Sequence, residues 1–251
     1  MSKYSICLLK SITFGTILIT QVAATNTDKQ WNAFGSIGFE SDYVVSGVKA
    51  ANESFQPNVE VSYNAFTAGI WSNLPLDNES GNFVDEHRIY AFWTFQPFDC
   101  LAIDAGGTHY SFPNDFSNPN RTNELNFLAT FDEFLSPSFG FNYDFNLRQT
   151  ELILAFEHEW SLEKLIRNLS LNASIAFGYL NAGDPDSDQT PGRIADSYLY
   201  IESILNIIYS VNDYSHISLG PRFATNNNGA SRNIGGHETH LWWGASAAFS
   251  Y

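Results

Sequence analysis

Carboxylates in this chain fall at alternate positions of stretches whose remaining positions are apolar. Glu60 stands between Val59 and Val61, and Asp144 between Tyr143 and Phe145. The same reading along the chain puts Glu60, Glu86, Arg88, Asp104, Glu124, Asp144, Glu151, Glu157, Glu202 and Arg222 on one parity, with Asn126, Asn142, Asn172 and Asn206 among them. Period two is the side-chain repeat of a β-strand, so these groups share one face of a sheet. If the apolar face meets hydrocarbon, the polar face encloses water. Its acids, far outnumbering the two guanidiniums, make a wall that attracts cations and repels anions. Both arginines are expected to pair with neighbouring carboxylates, because lone charge in a narrow space is costly. Tyr90, Phe92, Tyr200 and Trp242 share this parity and are placed to narrow the space or to stack on sugar rings.

Other constellations lead to less. Asp184, Asp186 and Asp188 have the opening spacing of a calcium loop, but Gln189 replaces the turn glycine and Ala195 the bidentate glutamate, which leaves an acidic loop. His237-Glu238-Thr239-His240 follows Gly235-Gly236 and lacks the helical H-E-x-x-H spacing of a zinc site. There is no G-x-S-x-G, and His87, His158 and His240 fall on strands without an evident Ser or Asn at matched height. Cys100 is a lone thiol. No catalytic residue, metal site or cofactor is therefore expected.

The period-2 pattern recurs about twelve times: Trp31–Val45, Phe55–Tyr63, Phe66–Leu74, Glu86–Phe95, Leu101–Tyr110, Thr122–Phe131, Pro137–Phe145, Thr150–Glu159, Leu169–Leu180, Ser197–Tyr209, Ser215–Phe223 and Thr239–Tyr251. In the last of these, Leu241, Trp243, Ala245, Ala247, Phe249 and Tyr251 oppose Trp242, Gly244, Ser246, Ala248 and Ser250. Such segments have the length of a tilted membrane-crossing strand, ~9–11 residues. Their aromatic-rich faces exceed what the core of one β-sandwich hides. The connections alternate between short ones, such as Asn64-Ala65 and Ser210–Tyr214, and longer ones rich in Asp, Asn, Gly and Pro, such as Ser46–Ser54 and Asn181–Asp196. Short inner turns and long outer loops are the habit of outer-membrane barrels. The expected fold is thus all-β: an antiparallel up-and-down transmembrane barrel of about twelve strands. Register is least secure in Glu86–Phe95, with aromatics on both parities, and in Ser197–Tyr209, where Ile204 and Ile208 share a face with Glu202 and Asn206.

The chain opens with Lys3, Lys10, an apolar run from Ile12 to Ile19 and Val22-Ala23-Ala24, the pattern of a cleaved signal peptide over residues 1–24. Residues 25–251 then form the barrel domain, destined for the bacterial outer membrane. Cleavage removes two lysines and Cys7, leaving 10 basic against 27 acidic residues and a formal charge of -17. Such a chain repels nucleic acid and anionic lipid surfaces. Aromatics at 16% suit the girdles of a membrane barrel.

Three segments carry a family resemblance. Ser41-Asp42-Tyr43-Val44-Val45-Ser46-Gly47-Val48 resembles an S-D-Y-hydrophobic-x-R-G-hydrophobic motif. Phe66-Thr67-Ala68-Gly69-Ile70-Trp71-Ser72-Asn73 is similar to F-Y-A-G-x-W-x-S-N less one serine, and Ile103–Pro113 resembles D-x-G-x-x-Y-Y-x-Y-P. Together with Gln56-Pro57-Asn58-Val59 they follow the order of the TorF-type porin family, a proteobacterial outer-membrane β-barrel group of unknown function, over residues 31–160. Ser46 stands where the family carries arginine, so no role of that arginine transfers. The resemblance implies a signal-bearing outer-membrane barrel of porin type and no particular substrate. The expectation is a passive channel for small hydrophilic solutes, cationic or polar. Its partners are outer-membrane lipids and, through the C-terminal strand ending in Tyr251, the barrel-assembly machinery. The alternatives are a plugged barrel acting through its outer loops and, further off, an outer-membrane lipid hydrolase.

Overall fold

A computed structural model of the chain describes residues 31–76, 85–113, 120–181, 197–227 and 238–251. The expected signal peptide, the Asp184–Asp188 loop and His237 lie outside these residues. The strands are β1 (Trp31–Glu40), β2 (Tyr43–Val45), β3 (Val48–Ala51), β4 (Ser54–Tyr63), β5 (Phe66–Pro75), β6 (Glu86–Phe98), β7 (Leu101–Ser111), β8 (Arg121–Phe131), β9 (Ser138–Asp144), β10 (Gln149–Ser161), β11 (Leu169–Asn181), β12 (Tyr198–Asn212), β13 (Ser215–Asn226) and β14 (Thr239–Ser250). Twelve of them close into one antiparallel barrel, and β2 and β3 form a separate two-stranded ribbon. Each barrel strand pairs with its sequence neighbour. The ring closes where β1 meets β14, from Phe34 opposite Ser250 to Glu40 opposite Gly244. Ala33 and Tyr251 add two backbone hydrogen bonds at 2.9 and 2.8 Å. Closure leaves no barrel strand with an unpaired edge, which is what a sheet needs in hydrocarbon.

The two faces are inverted relative to a water-soluble protein. Val59 is 61% exposed on the outer wall, while its neighbour Glu60 is 5% exposed inside. Phe139 and Ile175 likewise face out, and Asp144 faces in. A charged Lys or Arg on the outer face would cost ~2–4 kcal/mol at mid-membrane, so the alternation fixes which side of each strand turns inward. Trp31 stacks on Tyr63 at 4.5 Å and Trp93 lies 6.4 Å from both Phe66 and Phe95, forming part of an aromatic girdle near the short turns. The apolar outer belt and the closed ring make this an outer-membrane barrel.

Both strands of uncertain register keep one inward face through the membrane. In β12, Glu202, Ile204, Asn206 and Ile208 all turn inward, and the shift lies at Ser210/Asn212 beside the turn. In β6, Glu86, Arg88, Tyr90 and Phe92 turn inward, and the irregularity falls between Phe95 and Phe98. The Trp160–Asn168 connection holds one loose turn, with Ile166 N donating to Leu162 O at 3.1 Å.

One expectation is corrected. Trp31–Val45 is not a single strand: β1 ends at Glu40, where Ser41 makes its last two bonds to Trp243 of β14, N–H to O at 2.8 Å and Oγ from N–H at 3.0 Å. Beyond it Asp42 pairs with Lys49 at 2.5 Å, tying the two arms of the β2–β3 hairpin together. Its turn is Ser46-Gly47, with φ of 48° and 77°, the two positive values that a two-residue type I′ turn demands. The hairpin folds into the barrel instead of extending the wall. Tyr43, Val44 and Ala51 are buried, Val44 completely.

Candidate solute path

Tyr43 and Val44 point in opposite directions from β2, and each meets a wall. Tyr43 packs with Ala51, Trp71 and Tyr90 on the β5–β6 side, its ring 5.9 Å from that of Trp71. Its hydroxyl donates to Glu86 Oε2 at 2.9 Å and accepts from Arg88 Nη2 at 2.8 Å. Val44 packs with Ala224 and Trp242 on β13 and β14. The turn reaches further across. Ser46 Oγ donates to Glu151 Oε1 at 2.6 Å, Gly47 N–H donates to Glu202 Oε1 at 2.9 Å, and Asn226 Nδ2 donates to Gly47 O at 2.7 Å. The ribbon therefore bridges the interior from β5–β6 to β12–β14 and touches β10 at its tip.

Beside the ribbon, bounded by β6 to β12, lies a cavity of about 290 Å³. Glu86, Arg88, Glu124, Asp144, Glu151 and Glu202 all line it. These are six of the ten charged residues singled out by parity, brought together from five strands. The other four are also on the inward parity but lie elsewhere. Glu60 accepts from the Tyr90 hydroxyl at 2.6 Å. Toward the short-turn end, Asp104 accepts from Thr94 Oγ1 at 2.6 Å and Glu157 from Asn172 Nδ2 at 2.7 Å. Arg222 is on the opposite wall, where its Nε meets Glu40 Oε1 at 2.9 Å and its Nη1 meets Asn206 Oδ1 at 3.0 Å. There a second cavity of about 40 Å³ is enclosed by β1 and β12–β14.

The way these charges are held decides the field in the larger cavity. Arg88 is paired with Glu86 at 2.5 Å and clamped between the rings of Trp71 at 4.3 Å and Tyr110 at 5.0 Å. This pair is close to neutral seen from the cavity, and the cation is immobile. The remaining acids are oriented by neutral donors. Tyr110 donates to Glu124 at 2.9 Å, Asn126 Nδ2 donates to Glu124 at 2.5 Å, and Asn142 Nδ2 donates to Glu151 at 2.8 Å. Tyr200 donates to Glu151 at 2.7 Å and Thr122 to Asp144 at 2.5 Å. A hydroxyl or amide orients a carboxylate without supplying a compensating charge. Tyr200 lies flat across Gly178 of β11, whose missing side chain leaves the space its ring occupies.

Sequence reasoning missed Glu40, Tyr43, Ser46, Tyr110 and Asn226. Glu40, Tyr110 and Asn226 were within reach by parity, since each continues the inward alternation of its strand. Tyr43 and Ser46 belong to the hairpin. The one local signal for it was Ser46-Gly47 set between Val45 and Val48.

Contrary to the sequence expectation, His87 does have a serine at matched height. Ser72 Oγ lies 2.8 Å from His87 Nδ1, and His109 Nδ1 lies 2.9 Å from Asn123 Oδ1. Neither pair is completed by a carboxylate among the described residues, and nucleophilic catalysis depends on a third group that orients the base. Among the described residues no three His, Cys, Asp or Glu side chains are grouped to hold a metal. His240 Nε2 contacts Glu238 Oε2 at 3.1 Å.

No family model and no curated protein matches the chain. Among solved structures, the KdgM porin aligns with 88% of this chain and 99% of its own length at 8% identity, with a TM-score of 0.54. The NanC porin aligns with 87% of this chain and 98% of its own at 11% identity, TM-score 0.48. At such identities the likeness to the KdgM porin is one of fold. The chain is an outer-membrane β-barrel that shares the architecture of that porin.

Proposed function

We propose that this barrel is a passive channel for small hydrophilic solutes and that it favours cations and polar neutral solutes over anions. The observation that carries the reading is the cavity beside the hairpin. Its acids Glu124, Asp144, Glu151 and Glu202 are held by neutral donors, and its cation, Arg88, is spent on Glu86. A polar, negatively charged path inside an apolar outer wall is the arrangement a cation-leaning pore requires. In the same reading residues 1–24 direct export, Tyr251 closes the strand offered to the assembly machinery, and the sequence motifs mark a member of the TorF-type porin family. The wall performs no catalysis in this account.

Purified protein in planar bilayers tests the proposal: discrete conductance steps are expected, and a folded but silent protein contradicts it. One observation favours a second reading, that of a barrel plugged by its own first loop and acting through its outer loops. The hairpin does cross the interior, and silence in bilayers would support that reading.

A further inference from the structure

We infer that the inward hairpin, Tyr43–Ala51, sets the size limit of the channel, and that its seat depends on the contacts at its tip. This inference rests on the channel reading above and specifies what governs passage. A hairpin with strands of three and four residues has no stability of its own in water. It holds its place because Tyr43 and Val44 are each buried against a different wall and because the turn is pinned. Ser46 and Gly47 supply the tip bonds, and Glu151, Glu202 and Asn226 receive or donate them. These five are positioning residues for the opening.

The turn admits no other geometry cheaply. Gly47 sits at φ 77°, and a Cβ there would lie 2.8 Å from Tyr200 Cβ and 3.2 Å from Asn226 Cβ. A β-branched residue is thus excluded twice, by backbone conformation and by space.

The hairpin's share of the lumen follows from elementary dimensions. Twelve strands ~4.8 Å apart, tilted by ~40°, enclose a ring roughly 24 Å across between opposite backbones. Wall side chains take several ångströms from each side, and a ribbon with its own side chains is ~10 Å thick. The ribbon therefore blocks about half of the remaining section. What stays open beside it is the 290 Å³ cavity, sized for a small solute. Solutes must pass between the Val45-Ser46 edge and the acids of β8 to β12.

The test uses the full mature chain in vesicles and bilayers, with folding verified by heat-modifiable mobility on gels. Three proteins are compared: wild type, Gly47→Val, and a variant whose residues 42–52 are replaced by a short Gly-Ser linker. Swelling of vesicles with neutral sugars of graded size reads the size limit independently of charge. Both variants are expected to raise single-channel conductance roughly two-fold or more and to admit sugars that wild type excludes. Unchanged conductance and cut-off in both, against a conducting wild type, overturn the inference and leave the channel reading intact. Silence of all three overturns the channel reading, and the size filter falls with it. A silent wild type beside a conducting linker variant makes the hairpin a plug, which overturns the channel reading and the size limit with it.

If the valine variant does not fold, Ser46→Ala with Asn226→Ala keeps the inference testable, because it removes two of the tip bonds and adds no side chain at Gly47. A wider sugar limit than wild type is expected. The wild-type limit in this variant counts against the tip as the pin.

Discussion

Replacing Glu40 with Gln isolates a buried cation. Arg222 Nε meets Glu40 Oε1 at 2.9 Å, and the other oxygen, Oε2, accepts from Trp242 Nε1 at 2.9 Å. Both partners of the ion pair are buried inside the barrel, and Gly244 leaves the space that the pair fills. Two unit charges ~4 Å apart at an effective dielectric near 20 attract by ~4 kcal/mol. Removing one partner of a buried pair costs about 3–5 kcal/mol, chiefly because the other charge stays desolvated. Glutamine keeps the volume and an acceptor oxygen, which places Glu40→Gln near the lower end, about 3 kcal/mol. Urea unfolding in lipid vesicles, followed by tryptophan fluorescence, measures it. Arg222→Gln and the double variant complete a thermodynamic cycle, and the coupling between the two sites should be about 2 kcal/mol, with the double variant less damaged than the sum of the singles. The reasoning is refuted if Glu40→Gln lies within ~0.5 kcal/mol of wild type or if the two substitutions simply add.

Further outcomes follow from the same geometry. Glu124→Gln with Glu151→Gln removes two of the carboxylates lining the cavity while keeping their volume; cation preference should fall at unchanged unitary structure, read from bi-ionic potentials. That preference should also weaken as salt rises toward molar concentrations, because the Debye length shrinks from ~10 Å at 0.1 M to ~3 Å at 1 M; a salt-independent ratio would argue for steric selection. Gly178→Val drives a side chain into the Tyr200 ring and should cost about 1–3 kcal/mol in the unfolding assay, while displacing the hydroxyl that holds Glu151. Val59→Lys on the outer wall should destabilise by about 2–4 kcal/mol, whereas Ser62→Lys, on the inward face of the same strand, should cost far less.

The barrel was legible because its strands bury only one face. Val59/Glu60 and Tyr143/Asp144 alternate cleanly, so parity alone reports which side is wet, and the same alternation locates Glu124, Glu151 and Glu202. What parity does not report is which inward groups come together. The gathering of six charged residues around one cavity depends on strand stagger and on what else fills the interior. The hairpin escaped for a physical reason. Tyr43 and Val44 are adjacent and both buried, because the ribbon is sandwiched between two walls, and this breaks the one-sided alternation that identifies a wall strand. Read as a continuation of Trp31–Glu40, the apolar Tyr43-Val44-Val45 run looks like more membrane strand. Only the bend at Ser41-Asp42 and the Ser46-Gly47 turn distinguish it. Glu40 lies on the inward parity of β1 and was within reach; what parity does not give is its partner, because Arg222 meets it only where β14 closes the ring between β13 and β1.

The most direct test of a negatively lined open path is the reversal potential of the reconstituted wild-type protein under a KCl gradient. Outward diffusion of K⁺ ahead of Cl⁻ should leave the dilute side positive, with a permeability ratio above unity that declines in the Glu124→Gln/Glu151→Gln variant. A dilute side that turns negative, or a folded barrel that passes no current at all, contradicts the account.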